Sequence, residues 1–376
     1  MAMFLFFSGL FNFYLYKGSY KQQFLQQFER LKATSRIMDR NMDRNHRIET
    51  LKLWGAAIKQ KDWSTFYDAI QRSNPWFNVD SVELALSGVC RYLDPSKLDQ
   101  WSQSYQLKTG NTGTVGLILA GNIPLVGIHD FICLVAAGNR AKIKLSSQDQ
   151  ILLPLLYQEL VNIEPRIKEF FSFTNKISVG EIDAIISTGS DNTSRYIKFY
   201  YQDIPQIIRS NRTSVAVIKG DENSDQLTEL GADMFSYFGK GCRNISKIWV
   251  PPSYDFTKYI SNNRRFTKLL KNSKYNSNYN YQRALYRTQG MEYIDTGYSL
   301  FYQSKEVVSP LSVVFYDFYH NLDQLNAMIS LEKEKTQCIA SAEGWFGQSY
   351  PFGSLQKPDI WDYADNLDTM TFLLKL

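Results

Sequence analysis

Cys242 stands in the run Gly239-Lys240-Gly241-Cys242-Arg243-Asn244, with two glycines before it and a cation on either side. A thiol attacks only as its thiolate, and nearby positive charge favours that form. The glycines would let a substrate come close and leave the Cys242 backbone N–H as a donor to a developing oxyanion. Cys90, Cys133 and Cys338 sit in apolar helix or strand patterns and read as small buried hydrophobes.

Three further segments carry chemistry-bearing residues. Gly121-Asn122-Ile123-Pro124 lies between a strand pattern and a helix pattern, with Pro124 suited to a first helical turn. There Asn122 reads either as a helix cap or as an amide aimed at an oxyanion. Ala136-Ala137-Gly138-Asn139 ends a helix on glycine and leads into a strand ending at Lys144, which could meet a ribose or phosphate or simply be solvated. Ser187-Thr188-Gly189-Ser190 forms a strand-to-helix turn, a seat for a pyrophosphate at the positive end of a helix.

These pieces need a scaffold that gathers them. Residues 47–107 read as helices, with Leu51, Leu53, Trp54, Ala57 and Ile58 at helical spacing, and suggest no chemistry of their own. From Thr112 the texture changes to short β-rich runs at 114–120, 141–145, 182–188, 214–219, 247–250 and 311–318. Helical stretches at about 124–137 and 149–163 separate the first three. Such alternation implies an α/β fold with a parallel sheet, whose ligands bind at the carboxyl ends of the strands. The basic, Asn- and Tyr-rich stretch 262–288 reads as a mobile surface loop, or as a basic lip for a phosphate-bearing substrate.

Composition narrows the class. Of 376 residues, 44% are hydrophobic and 21% charged, as in an ordinary soluble protein. A net charge of +5 without a dense Lys/Arg tract argues against nucleic acid and suits an anionic substrate. No CxxC pair exists, and His46, His129 and His320 share no ligand spacing, so neither a metal nor a disulfide framework is expected. A reduced cytoplasm is the expected compartment. Met1 to Tyr16 is apolar but short for a membrane span and lacks a positive leader. It reads as an extension upstream of a start at Met38 or Met42, an interfacial anchor, or a secretory signal; no stable membrane insertion is expected.

The order of these segments resembles the aldehyde dehydrogenase superfamily, and within it the acyl-CoA reductase family of the bacterial luminescence fatty acid reductase type. Gly121-Asn122-Ile123-Pro124 is similar to the family's WNxP, and Lys144-Leu145-Ser146-Ser147 to KPSE. Thr188-Gly189-Ser190 resembles the TGS turn, and Gly239 to Cys242 the GxxC of the nucleophile. Glu306-Val307-Val308-Ser309-Pro310 resembles ExxxP, and Pro351-Phe352-Gly353 the PFGG turn.

The resemblance implies an aldehyde dehydrogenase-like α/β fold with Cys242 and Asn122 as catalytic residues. Lys144, Ser147, Gly189, Ser190 and Glu306 would be cofactor-binding, Glu306 at the nicotinamide ribose. The implied domains are an N-terminal extension (1–37, non-native or disordered), a helical region (38–110), a nicotinamide cofactor-binding domain (111–208, completed by about 340–376) and a catalytic domain (209–339). The substrate would be an acyl-CoA, and a homo-oligomer is compatible with the resemblance.

Two departures sharpen this. Ile208 stands where hydrolytic relatives carry the general-base Glu of ELGGK, in Ile208-Arg209-Ser210-Asn211-Arg212. Without a base to activate water, thiol exchange is favoured over hydrolysis. Ser147 replaces the carboxylate that binds adenosine ribose hydroxyls, and with Lys142 and Lys144 favours NADPH, NADH being the alternative. The expected activity is reduction of an acyl-CoA to an aldehyde. The rival readings are an acid-forming aldehyde dehydrogenase and a non-catalytic scaffold that keeps the fold.

Overall fold

The computed structural model describes residues 42–107 and 112–376. The readings made of residues 1–37 lie outside this range.

Five strands form the first sheet: β1 (Thr112–Ile118), β2 (Asn139–Lys144), β3 (Phe171–Phe173), β4 (Ala184–Thr188) and β5 (Gln206–Arg209). Their order is β3-β2-β1-β4-β5, all parallel. Val115 and Leu117 of β1 and Ala184, Ile185 and Ile186 of β4 are fully buried. That is the mark of a sheet covered on both faces. Helices Ile128–Ala137, Leu152–Ile163 and Asp191–Tyr200 provide the cover. The strand order runs outward from β1 to β3 on one side and from β4 to β5 on the other, so it switches direction between β1 and β4, which opens a crevice at their carboxyl ends.

The second sheet holds β6 (Thr213–Val217), β7 (Ile245–Val250), β8 (Ile294–Asp295), β9 (Leu300–Gln303), β10 (Val313–Phe318), β11 (Thr336–Ser341) and β12 (Tyr350–Pro351). The order is β12-β11-β6-β7-β10-β9-β8, parallel except for β8 against β9. The six strand runs read from the sequence are all present. β3, β5, β8, β9, β11 and β12 are additional; they are short or mixed in polarity, and only their neighbours make them strands.

Four N-terminal helices, Arg44–Gln60, Ser64–Ser73, Val79–Tyr92 and Pro95–Gln103, share one apolar core with the first sheet. Trp54, fully buried, donates from Nε1 to Leu156 O at 2.9 Å. Arg47 Nε donates to Ala136 O at 3.0 Å. Gly138 closes the helix below in the left-handed region (φ 82°), and a Cβ there would lie 3.0 Å from the Arg47 guanidinium. The C-terminal helix Thr369–Leu373 returns to this core through Met370 and Leu373.

The expected loop over 262–288 is not a loop. A 3-10 turn, Arg264–Lys271, leads into the helix Ser273–Thr288. Asn272 caps that helix by accepting from the N–H groups of Lys274 and Tyr275 at 3.1 Å. Tyr275, Tyr279, Gln282 and Tyr286 recur at helical spacing and are buried along one face. The Asn-rich composition disguised an amphipathic helix whose apolar stripe is made of tyrosines.

Candidate active site

After β1 the chain crosses the sheet edge as a turn, and the next helix begins only at Ile128, later than Pro124 suggested. The delay comes from Leu125, held at φ 61° with its N–H donating to Asp149 Oδ2 at 2.9 Å. Asp149 is buried, which pushes its carboxyl up to about 6 although two backbone N–H groups oppose the shift. The turn presents Asn122, whose Nδ2 donates to Lys240 O at 2.7 Å. One amide therefore reaches from the first sheet to the loop that carries Cys242, and its second N–H has no acceptor among the described residues.

That loop is strained. Tyr237, Phe238 and Gly239 take successive φ values of 53°, 60° and 77°. A non-glycine residue there costs about 1–3 kcal/mol, so something must impose the path. Asn244, only 2% exposed, does so. Its Oδ1 accepts from Gly241 N at 2.7 Å, while its Nδ2 donates to Asp233 O and Ser236 O, both at 2.9 Å. Ser214 on β6 donates to Cys242 O at 3.1 Å. Phe238 plugs the loop into the core against Trp76, ring centroids 5.4 Å apart. Asp233 also accepts from the N–H groups of Gly353 and Leu355, at 2.6 and 3.2 Å, tying the Pro351-Phe352-Gly353 turn to the same helix end.

Among the four free cysteines Cys242 is the exposed one, as its sequence context required. The expectation that flanking cations would favour its thiolate is corrected. The thiol opens into a cleft but has protein on most sides, and that loss of hydration raises its pKa above the ordinary value; Arg243 only partly opposes, and Asp365 adds to the rise. Lys240 does not help: its ammonium sits over the Trp76 ring, 4.2 Å from the centroid. Arg243 is itself engaged, one Nη donating to Cys338 Sγ at 3.6 Å and the other to Asp362 O at 3.3 Å.

A cleft of about 1150 Å³ runs between the two sheets. Cys242, Asn122, Lys144, Ser147, Gly189 and Ser190 all line it. Ser190 caps the helix Asp191–Tyr200, its Oγ accepting from Thr193 N at 3.4 Å. That leaves the first N–H groups of the helix without intrahelical acceptors. Lys144 is exposed and, among the described residues, makes no ion pair. A cleft of this size, with two hydroxyls, an unpaired ammonium and a helix N-terminus along one side, fits a dinucleotide cofactor. Among the described residues no cluster of His, Cys, Asp or Glu could hold a metal, and no helix is long and apolar enough to cross a membrane.

Two expected members of the site stand elsewhere. Glu306 is exposed in the connection between β9 and β10 and does not line the cleft, which this segment joins two residues later at Val308. The segment is anchored from β7: buried Lys247 donates from Nζ to Ser304 O and Lys305 O at 2.8 and 3.0 Å, and Ser246 donates to Val307 O. The anchors hold the backbone of this stretch and leave the carboxylate in solvent. Lys142 is paired with Glu181 at 3.0 Å and is absent from the cleft wall, so of these two lysines only Lys144 brings its charge to the cleft.

The segment lacking the general base gives none in another guise. Ile208 packs in a small apolar cluster with Ile185 and Ile197. Arg209, which follows it, donates to Asp130 Oδ2 at 2.5 Å and Thr369 Oγ1 at 2.9 Å. Asp130, Asp362 and Asp365 line the cleft; Asp130 is paired with Arg209, and Arg212 lies 3.4 Å from Asp365.

Three features were not legible beforehand. Asn244 acts through the backbone at the end of the preceding helix, and Asp149 through Leu125 on the other side of a helix and a strand. The helix Val79–Tyr92, which read as a plain cap, lines the cleft with Ala85, Gly88, Val89 and Tyr92. The i, i+3, i+4, i+7 spacing of those four was the available signal.

The family model described as acyl-CoA reductase (LuxC) matches residues 67–257. No curated protein matches the chain. Solved aldehyde dehydrogenases share its fold. A mutant of aldehyde dehydrogenase C from Pseudomonas syringae, complexed with NAD+ and octanal, superposes with a TM-score of 0.60 at 13% identity, over 85% of this chain and 76% of that one. KauB from Pseudomonas aeruginosa gives 0.59 at 12% identity, over 85% and 76%. Aldehyde dehydrogenase 21 from Physcomitrella patens, in complex with succinate, gives 0.58 at 13% identity, over 80% and 73%.

Proposed function

The chain belongs to the acyl-CoA reductase (LuxC) family, and on that premise we propose that it reduces an acyl-CoA to an aldehyde, with Cys242 as nucleophile and a nicotinamide as reductant. The observation that carries the reading is the convergence on one cleft of an accessible thiol, an uncommitted amide N–H and a hydroxyl-lined helix terminus.

Cys242, once deprotonated, forms a bond to the thioester carbonyl carbon. Asn122 and the Cys242 backbone N–H donate to the oxyanion. CoA leaves as its thiolate when the original C–S bond breaks, and the acyl group remains on Cys242. Along the first sheet, Lys144, Ser147, Ser190 and the helix terminus at Asp191 would hold a dinucleotide. When bound, that group supplies a hydride to the acyl carbon. The resulting thiohemiacetal oxyanion, held by the same donors, collapses with loss of the Cys242 thiolate and releases aldehyde. Ile208 offers no base to activate water, so exchange with a thiol outruns hydrolysis.

NADPH is the favoured reductant, because Ser147 brings no negative charge against a 2′-phosphate and Lys144 is unpaired. The region from β1 to β5, completed by the C-terminal helix, would bind the cofactor, and the region from β6 onward would carry the chemistry. An absorbance assay with NADPH and acyl-CoAs of graded length tests the reading. Free thiol and aldehyde should appear together as NADPH is consumed. Oxidation of free aldehyde without CoA would replace it with an acid-forming dehydrogenase.

A further inference from the structure

At the catalytic mouth of the cleft stands a cluster that the steps above do not use. Lys240, half-buried two residues before Cys242, lies over Trp76. Trp76 also walls an adjoining groove of about 440 Å³, together with Ser273, Lys274, Ser277, Asn278 and Tyr281. Cleft and groove meet at Lys240, Trp76 and the first turns of the helix Ser273–Thr288, where Tyr275 faces the cleft and Lys274 the groove. This is part of the basic stretch singled out in the sequence.

Among the described residues neither Lys240 nor Lys274 pairs with a carboxylate, whereas Lys268 nearby pairs with Asp80 at 2.6 Å. Burial and the positive charge of Lys274 together lower the Lys240 ammonium to about 8, and no acid offsets them. Two lysines beside Trp76, one of them partly desolvated, form an arrangement that an anion relieves. Asn278 lines the groove beside Lys274.

We propose that Lys240 and Lys274 form the subsite for the phosphate of a phosphopantetheine thioester, with Trp76 and Asn278 along its amide-bearing arm and its thioester at Cys242. This rests on the acyl-CoA reading and adds where the phosphate of the donor lies: beside Trp76, in the groove next to the Cys242 loop.

The test compares kcat/KM for an acyl-CoA with that for the matching N-acetylcysteamine thioester, which has no phosphate. In the double variant Lys240→Met, Lys274→Met the preference for acyl-CoA should fall by about 10- to 100-fold. Acyl-4′-phosphopantetheine, which lacks the nucleotide, should behave as acyl-CoA does in both proteins. An unmoved ratio overturns the proposal, as does equal loss with both thioesters. So does phosphopantetheine behaving like the phosphate-free compound, which would place the recognised phosphate on the nucleotide. Lys274→Met alone alters only an exposed side chain and should give about tenfold, should the double variant not fold. Calorimetric titration with CoA itself needs no turnover. Weaker binding to the double variant, with no thioester reduced by the unaltered protein, would uphold the subsite while the reductase reading fails. Turnover with an unmoved preference would do the reverse.

Discussion

The two walls of the cleft are built by different means. On the first sheet, the cofactor-facing residues sit in turns that their own sequence dictates. Gly138 stops one helix, Ser190 caps another, and Lys144 and Ser147 follow directly from the end of β2. On the other wall the Cys242 loop follows a path its sequence does not favour, with Tyr237 and Phe238 left-handed. It is kept there by Asn244 at its own end, by Ser214 on β6 and by Asn122 in the turn after β1. A surface for binding can rest on local preferences and tolerate small shifts. A reacting sulfur cannot, because misplacement of about 1 Å costs about 100-fold in rate.

The sharpest division between the walls is expected from Cys242→Ala. Turnover should fall by about 10^4-fold or more, with the Kd for NADPH unmoved in a fluorescence titration. Aldehyde formation near the original rate would remove Cys242 from the mechanism. Next, Asn244→Ala deletes three buried hydrogen bonds and should cost about 3 kcal/mol in urea unfolding and about 100-fold in kcat. The matched change on the other wall, Ser190→Ala, removes one cap and should cost about 1 kcal/mol with kcat little altered. Equal losses from the two would erase the contrast.

Ser147→Glu tests charge rather than support. It should weaken NADPH binding by about tenfold and leave NADH nearly unaffected, since only the 2′-phosphate would meet the new carboxylate. If NADPH already binds no tighter than NADH to the unaltered protein, the assignment of Ser147 fails.

The smallest effect concerns the thiol. Because burial raises the Cys242 pKa, its alkylation by iodoacetamide should keep accelerating as pH rises past about 9, the ordinary thiol value. Arg243→Met withdraws the charge that favours the thiolate and should move the inflection higher. Asp365→Asn withdraws the charge that opposes it and should move the inflection lower. An inflection near neutrality would mean that the flanking cations govern after all.

Much of the architecture was legible in the sequence. Six strand runs, the helices between the first three, the glycine stop at Gly138 and the singular context of Cys242 depend on short-range pattern, which a linear chain displays. The helix Ser273–Thr288 was hidden because its buried stripe is made of tyrosines among asparagines, a composition that also describes loops. Glu306 shows the limit of a motif: the residue type and spacing are right, but anchors from Ser246 and Lys247 hold the segment with that side chain outside the cleft.

By itself, then, the sequence determined which residues could react, and where strands and helices would form around them. Tertiary structure alone decided how Cys242 is held, how its thiol is tuned, and that a helix from the N-terminal region walls the cleft. The physical reason is range. Backbone preference and hydrophobic period act over a few residues. Desolvation of a thiol and support of a strained loop by Ser214 and Asn122 exist only once distant segments are brought together.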